Sequence, residues 1–221
     1  MIEDISQAIE GLVGQLDNTF QGVFNTSLDV IEVCNTKWAR AGKMIQFGND
    51  EFLIQTIQYD QFFTTGDAQT GMFTIAQPYF VPGTPISANR EWTIADNNLM
   101  DKTPLVWLLH DIRYRKFGRE SVFEWEADLR LFFLDETNTA QFYTRDHIQN
   151  VVVPMSKLAE EFIKVVNADR SYLTLDQWEV LNFTRFGTER EGGSFSNILD
   201  ANLSGVELRI QLTKYKENCK C

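Results

Sequence analysis

Ser121-Val122-Phe123-Glu124-Trp125-Glu126-Ala127-Asp128-Leu129-Arg130-Leu131-Phe132-Phe133 is the stretch that decides the fold. Successive side chains of an extended chain point to opposite faces. Phe123, Trp125, Ala127, Leu129, Leu131 and Phe133 therefore share one side, and Glu124, Glu126, Asp128 and Arg130 share the other. Such a run spans roughly 43 Å at about 3.3 Å per residue, longer than one small core needs. A bulge in the strand, or an end that projects beyond the domain, is expected.

Upstream, Pro104-Leu105-Val106-Trp107-Leu108-Leu109 is nearly continuous apolar sequence, as in a strand buried on both faces. Downstream, Ile148, Val152, Met155, Ala159, Phe162 and Val166 recur at helical spacing. Asp146 is placed as an N-cap; at Pro154 either the helix kinks, which the in-phase apolar stripe favours, or the regular helix begins. The closing strand alternates Val206, Leu208, Ile210 and Leu212 against Glu207, Arg209 and Gln211. The expected core is Phe123, Trp125, Leu129, Leu131, Phe133, Val152, Met155, Phe162, Leu208 and Ile210. The fold class is α+β: a mixed, mostly antiparallel sheet packed against one long helix and an N-terminal helix.

That N-terminal helix is predicted over residues 2–24 from Ile2, Ile5, Ile9, Leu12, Leu16, Phe20 and Val23. Gly11, Gly14 and Gly22 weaken it by about 1 kcal/mol each relative to alanine. Ser27–Val33 reads equally as helix or strand. Lys43–Phe47 and Glu51–Tyr59 flank Gly48-Asn49-Asp50 and predict a hairpin. Thr64–Met100 reads as loop-like, punctuated by Gly66, Gly71, Pro78, Pro82, Gly83 and Pro85. A further strand is expected around Trp178–Phe183. The organisation read from this is one domain over residues 1–221, with a loop- and strand-rich insertion at about 61–103 and a second at about 171–202.

The net charge of −11 and pI near 4.7 argue against a broad grip on nucleic acid, which needs Lys and Arg to displace phosphate counterions. They argue equally against binding an anionic membrane. No stretch approaches the roughly 20 apolar residues of a membrane span, and no signal peptide is read at the N-terminus. Cys34, Cys219 and Cys221 do not make a disulfide framework, and with His110 and His147 they make a poor zinc site.

The sequence holds no phosphate-cradling glycine loop, no H-E-x-x-H and no G-x-S-x-G. Gly192-Gly193-Ser194 has no helix signal behind it. Glu124 and Glu126 have the spacing of a glycosidase pair, but the same pattern describes a solvated strand face. His110-Asp111 has no nucleophile assigned to it. No enzyme, cofactor or metal is read here. Arg113, Arg115, Lys116 and Arg119 form a basic cluster in an acidic chain, whereas Met1–Thr36 holds Glu3, Asp4 and Glu10 among its acids and no Lys or Arg. The plain reading of the cluster is a solvated hairpin loop. The sharper one is an electrostatic contact, with a neighbouring copy's acidic N-terminal segment favoured over a phosphate backbone.

An N-terminal amphipathic helix, β-hairpins, a Pro-led buried strand and the long amphipathic strand come first. An Ile-x-x-x-Val-x-Pro-Met-x-x-Leu-Ala-x-x-Phe helix and Leu203-Ser204-Gly205-Val206-Glu207-Leu208-Arg209-Ile210 follow. This order resembles the tail-terminator and tail-completion proteins of tailed bacteriophages, over roughly Pro104–Thr213 plus the first helix. The resemblance implies a virion structural protein without catalytic residues. Such a protein would be assembled in the bacterial cytoplasm as a homo-oligomeric ring at the neck or upper tail. Its partners would be other neck, tail or portal proteins, with DNA passing through the lumen unbound and no membrane contact. Thr64–Met100 and Ser171–Asn202 depart from the family's minimal subunit. The alternative reading is a non-enzymatic α+β module that binds a small ligand or glycan.

Overall fold

The structure is a computed structural model describing residues 2–25, 30–58, 61–64, 70–94, 102–137, 144–174, 177–183, 186–189, 195–199 and 201–216. Helix α1 (Ile2–Val13) leads into β1 (Thr19–Asn25), β2 (Val30–Val33), β3 (Met44–Phe47), β4 (Asp50–Gln58), β5 (Gln61–Thr64) and β6 (Gly71–Ile75). These six strands close an antiparallel barrel in the order β1-β2-β5-β4-β3-β6. The expected hairpin at 43–60 is β3–β4, turned by Gly48 at φ 61° and Asn49.

The chain leaves the barrel into β7 (Tyr79–Gly83), α2 (Pro85–Ile94), β8 (Leu105–Leu109), β9 (Arg113–Lys116) and β10 (Phe123–Glu136). A three-part helix follows: α3 (Thr144–His147), a π-helical segment (Ile148–Val152) and α4 (Val153–Ala168). Then come β11 (Tyr172–Thr174), β12 (Glu179–Phe183), the small hairpin of β13 (Gly187–Glu189) and β14 (Phe195–Asn197), and β15 (Leu203–Tyr215). Together β7–β12 and β15 make a seven-stranded sheet centred on the antiparallel β10–β15 pair, which runs from Phe123↔Tyr215 to Glu136↔Leu203. β7 joins β8 in parallel.

The sheet has a core on each face. On the first, α4 lays Met155, Leu158, Ala159, Phe162 and Val166 over Trp125, Leu129, Leu131, Phe133, Leu208 and Ile210. Ile5, Ile9 and Leu12 of α1 and the barrel lining, including Ile31, Ile45, Ile54 and Phe73, continue this core. On the second, Trp107 stacks on Phe132 and meets Phe186 edge-on, with Trp92, Leu105, Leu134 and Leu203 around them. Each large buried side chain contributes about 1.5–3 kcal/mol. The distal half of β10 is thus buried on both faces, and the proximal half keeps its polar face open.

Several expectations need correction. α1 stops at Val13 rather than continuing to residue 24. Gly14 N–H closes on the Glu10 carbonyl, and Asp17 accepts from Thr19 N–H to turn the chain into β1. Residues 30–33 are strand, while 27–29 lie outside the described residues. The loop- and strand-rich insertion carries β6 and β7, and also α2, a helix that was not expected. Phe123 is half-buried, because the β10 register shifts between Phe123 and Trp125; it packs at the sheet end with Phe117 and Tyr215. Val152 is half-buried at the end of the π segment. Asp146 is no N-cap: the helix already includes Thr144. At Pro154, which has no N–H for an i−4 bond, the chain accommodates by running π-helical just before it.

Candidate functional site

The basic cluster folds as β9 and the hairpin tip after it. β9 runs beside β10 in the register Arg113↔Asp128, Tyr114↔Ala127, Arg115↔Glu126 and Lys116↔Trp125. Arg113 and Arg115 therefore stand on the second face, and Tyr114 and Lys116 on the first. Every β9 residue is exposed. Arg115 lies 3.4 Å from Glu126 but stays 66 % exposed, so that pair contributes no more than about 1 kcal/mol. Arg119 sits exposed in the tip. α1 turns Ile5, Ile9 and Leu12 inward and leaves Glu3, Asp4 and Glu10 exposed. The structure thus presents the predicted cations and carboxylates on separate exposed elements.

The open half of the second face forms a trench of about 890 Å³, lined among others by Asp111, Arg113, Asp128, Arg130, Trp178 and Arg209. Glu207, entirely buried on β15, anchors it. Its carboxylate accepts from Arg130 Nε at 2.5 Å and from Arg209 Nε at 2.9 Å, and Arg209 reaches Glu179 at 3.7 Å. Burial alone would raise the Glu207 carboxyl. The Arg209 and Arg130 hydrogen bonds override burial and hold it below the ordinary value. Gln211 Nε2 donates to Asp128 at 2.9 Å. Guanidinium and carboxylate groups alternate across the trench, so it favours neither an anion nor a cation. Glu124 is the extra residue at the bulge and pairs with Lys214, while Glu126 pairs with Arg115. These carboxylates are tied to separate cations.

Both histidines meet a serine. His110 Nε2 is 2.9 Å from Ser6 Oγ, and His147 Nε2 is 2.8 Å from Ser204 Oγ. Ser6 spends its hydroxyl proton on the Ile2 carbonyl, so His110 must donate to it and cannot act as its base. Burial holds both imidazoles below their ordinary pKa, hence neutral. Other charged groups fasten elements together. Arg40 grips Asp135 from the barrel side at 2.5 and 2.9 Å, and Lys43 Nζ donates to the Thr103 carbonyl at 2.8 Å. Lys102 Nζ donates to the Trp92 carbonyl at 2.6 Å, and Lys37 holds Asp17 at 2.5 Å, lowering its pKa to about 2. Sequence reasoning missed these ties between elements, and no local signal marks them. Among the described residues no His, Cys, Asp and Glu cluster has metal-binding geometry; Cys34 is exposed and free. Cys219, Cys221 and Gly192–Ser194 lie outside the described residues.

The sheet ends in unlike strands. β7 carries Pro82 and is flanked by α1 and α2, so its outer edge is poorly suited to further pairing. β12 lies beside β15 in the register Glu179↔Arg209, Val180↔Leu208 and Leu181↔Glu207. Trp178, Val180 and Leu181 are 44 %, 43 % and 39 % exposed there. No family model, curated protein or solved structure matches the chain. Among the described residues, no helix is long and apolar enough to cross a membrane.

Proposed function

We propose that this chain is a virion structural protein that forms a homo-oligomeric ring in the neck or upper tail of a tailed bacteriophage. The observation that carries the reading is how its polar groups are used. The buried charges and histidines fasten one element to another, and the exposed surfaces are a cationic lateral strand, an acidic helix face and an apolar sheet edge. Such a distribution suits self-association and stacking against other neck, tail or portal proteins. The acidic surplus suits a channel wall, because carboxylates repel passing phosphates over about 8 Å. Native mass spectrometry of the full chain tests this. A closed ring of defined stoichiometry is expected, and a monomer at tens of micromolar would refute it.

The exposed Trp178 in a charge-balanced polar trench favours one second reading, a site for a neutral sugar. Quenching of tryptophan fluorescence by maltohexaose or cellohexaose, lost in Trp178→Ala, would support it.

A further inference from the structure

We infer that the lateral contact between copies is a strand pairing, β9 of one copy against β12 of the next. It rests on the ring reading and names the surface that receives the basic strand.

Both strands are edges. Among the described residues β9 pairs with β10 alone and β12 with β15 alone, so each has one main-chain side without a strand partner. Unpaired strand edges are templates for another strand, and proteins commonly defend them with proline, lysine or a covering element. β7 is defended by Pro82 and its flanking helices, and β9 by its own cations. β12 carries no cation and no proline, and exposes Val180 and Leu181.

Direction and side-chain pattern point to a second copy as the occupant. β10 and β12 both run antiparallel to β15, and β9 runs antiparallel to β10. A neighbour that continues the sheet without turning over therefore brings its β9 antiparallel to β12. One register then matches on both faces. On the first face, the neighbour's Tyr114 comes opposite Val180, an aromatic against a β-branched residue. On the second, its Arg115 comes opposite Glu179, and its Arg113 lays its aliphatic stem along Leu181. Glu179 already lies 3.7 Å from Arg209, and Arg115 lies 3.4 Å from Glu126. The contact would join these into one row of alternating charge. Because the two surfaces differ, the contact is head-to-tail, the kind that closes a ring when the rotation between copies closes. The acidic face of α1 offers charge to the basic strand but no main-chain partner.

The test is site-specific cross-linking in a chain whose Cys34, Cys219 and Cys221 are serine. Tyr114→Cys and Val180→Cys are made in separate chains, both at exposed positions, then mixed and oxidised. Directly opposed residues of an antiparallel pair lie about 4.5–5.5 Å apart between Cα atoms, within disulfide reach. The mixture is expected to give a covalent dimer on a non-reducing gel, and neither variant alone should. Tyr114→Cys mixed with Leu181→Cys, whose side chains would face opposite sides, should give none. Rings seen by native mass spectrometry with no cross-link from the Tyr114/Val180 mixture, or with the Leu181 mixture cross-linking instead, overturn the pairing and leave the ring reading standing. A monomer throughout overturns both.

Discussion

Gly205→Ala should be among the most damaging single-methyl additions this protein can receive. Gly205 lies on β15 directly opposite Leu134 of β10, with φ at +151°, a conformation L side chains rarely adopt. A Cβ there would sit 2.0 Å from the Phe133 carbonyl oxygen and 3.0 Å from its carbon. Ordinary carbon–oxygen contact is about 3.3 Å, so β10 and β15 would have to part by roughly 1 Å. The clash is with main chain, which cannot swing aside as a side chain can, and Phe133 and Leu134 are buried on opposite faces of the sheet. The strained backbone costs about 1–3 kcal/mol and overpacking about 1–3 more. At roughly 2–4 °C per kcal/mol for a chain of this size, the melting temperature should fall by about 4–24 °C. Circular dichroism on heating measures it, with Gly118→Ala, where an added Cβ meets nothing within 4 Å, as the neutral control. If Gly205→Ala melts within about 2 °C of the parent, the close approach of the central strands is not as described.

Two further outcomes follow from the buried charges. Glu207 has a folded-state pKa below its unfolded value of 4.5, so its stabilisation is full above that value and is lost as pH falls through the lowered one. Urea midpoints should therefore decline more steeply below about pH 5 in the parent than in Glu207→Gln, which starts lower at pH 7. Arg40→Met leaves Asp135, only 1 % exposed, without its guanidinium; a loss of about 3–5 kcal/mol at neutral pH is expected in denaturant unfolding.

The sheet was legible in the sequence where one face of a strand is apolar and the other polar. Trp125, Leu129, Leu131 and Phe133 alternate cleanly, as do Val206, Leu208 and Ile210, and all are buried as expected. The barrel was hidden because a core position in β1 is filled by backbone. Phe20, Gly22 and Phe24 share the inward side, but a Cβ at Gly22 would meet Ile31 and Phe73 at 2.6 and 2.8 Å, so only glycine fits. A blank at that position breaks the period of two, and exposed Val23 completed a false helical stripe in its place. The polar side of β15 misled differently. Glu207 reads as solvent-facing by alternation, yet β12 lies along it and two arginines close over it. Such burial depends on partners distant in the chain, and alternation carries no trace of it. The basic strand was legible as charge; that it is a sheet edge was not, because strand order is set by long-range pairing.

Among the described residues, a cylinder of strands whose last member bonds back to its first has no edge strand of the kind that templates another polypeptide. The outside of that cylinder presents side chains such as Val23, Met44, Leu53 and Met72, which stand out from its wall. Point substitutions can remodel such a skin while the hydrogen-bonded frame beneath stays as it is. The same chain therefore holds a closed barrel, which carries its variation in side chains, and an open sheet whose outer strands still offer main chain.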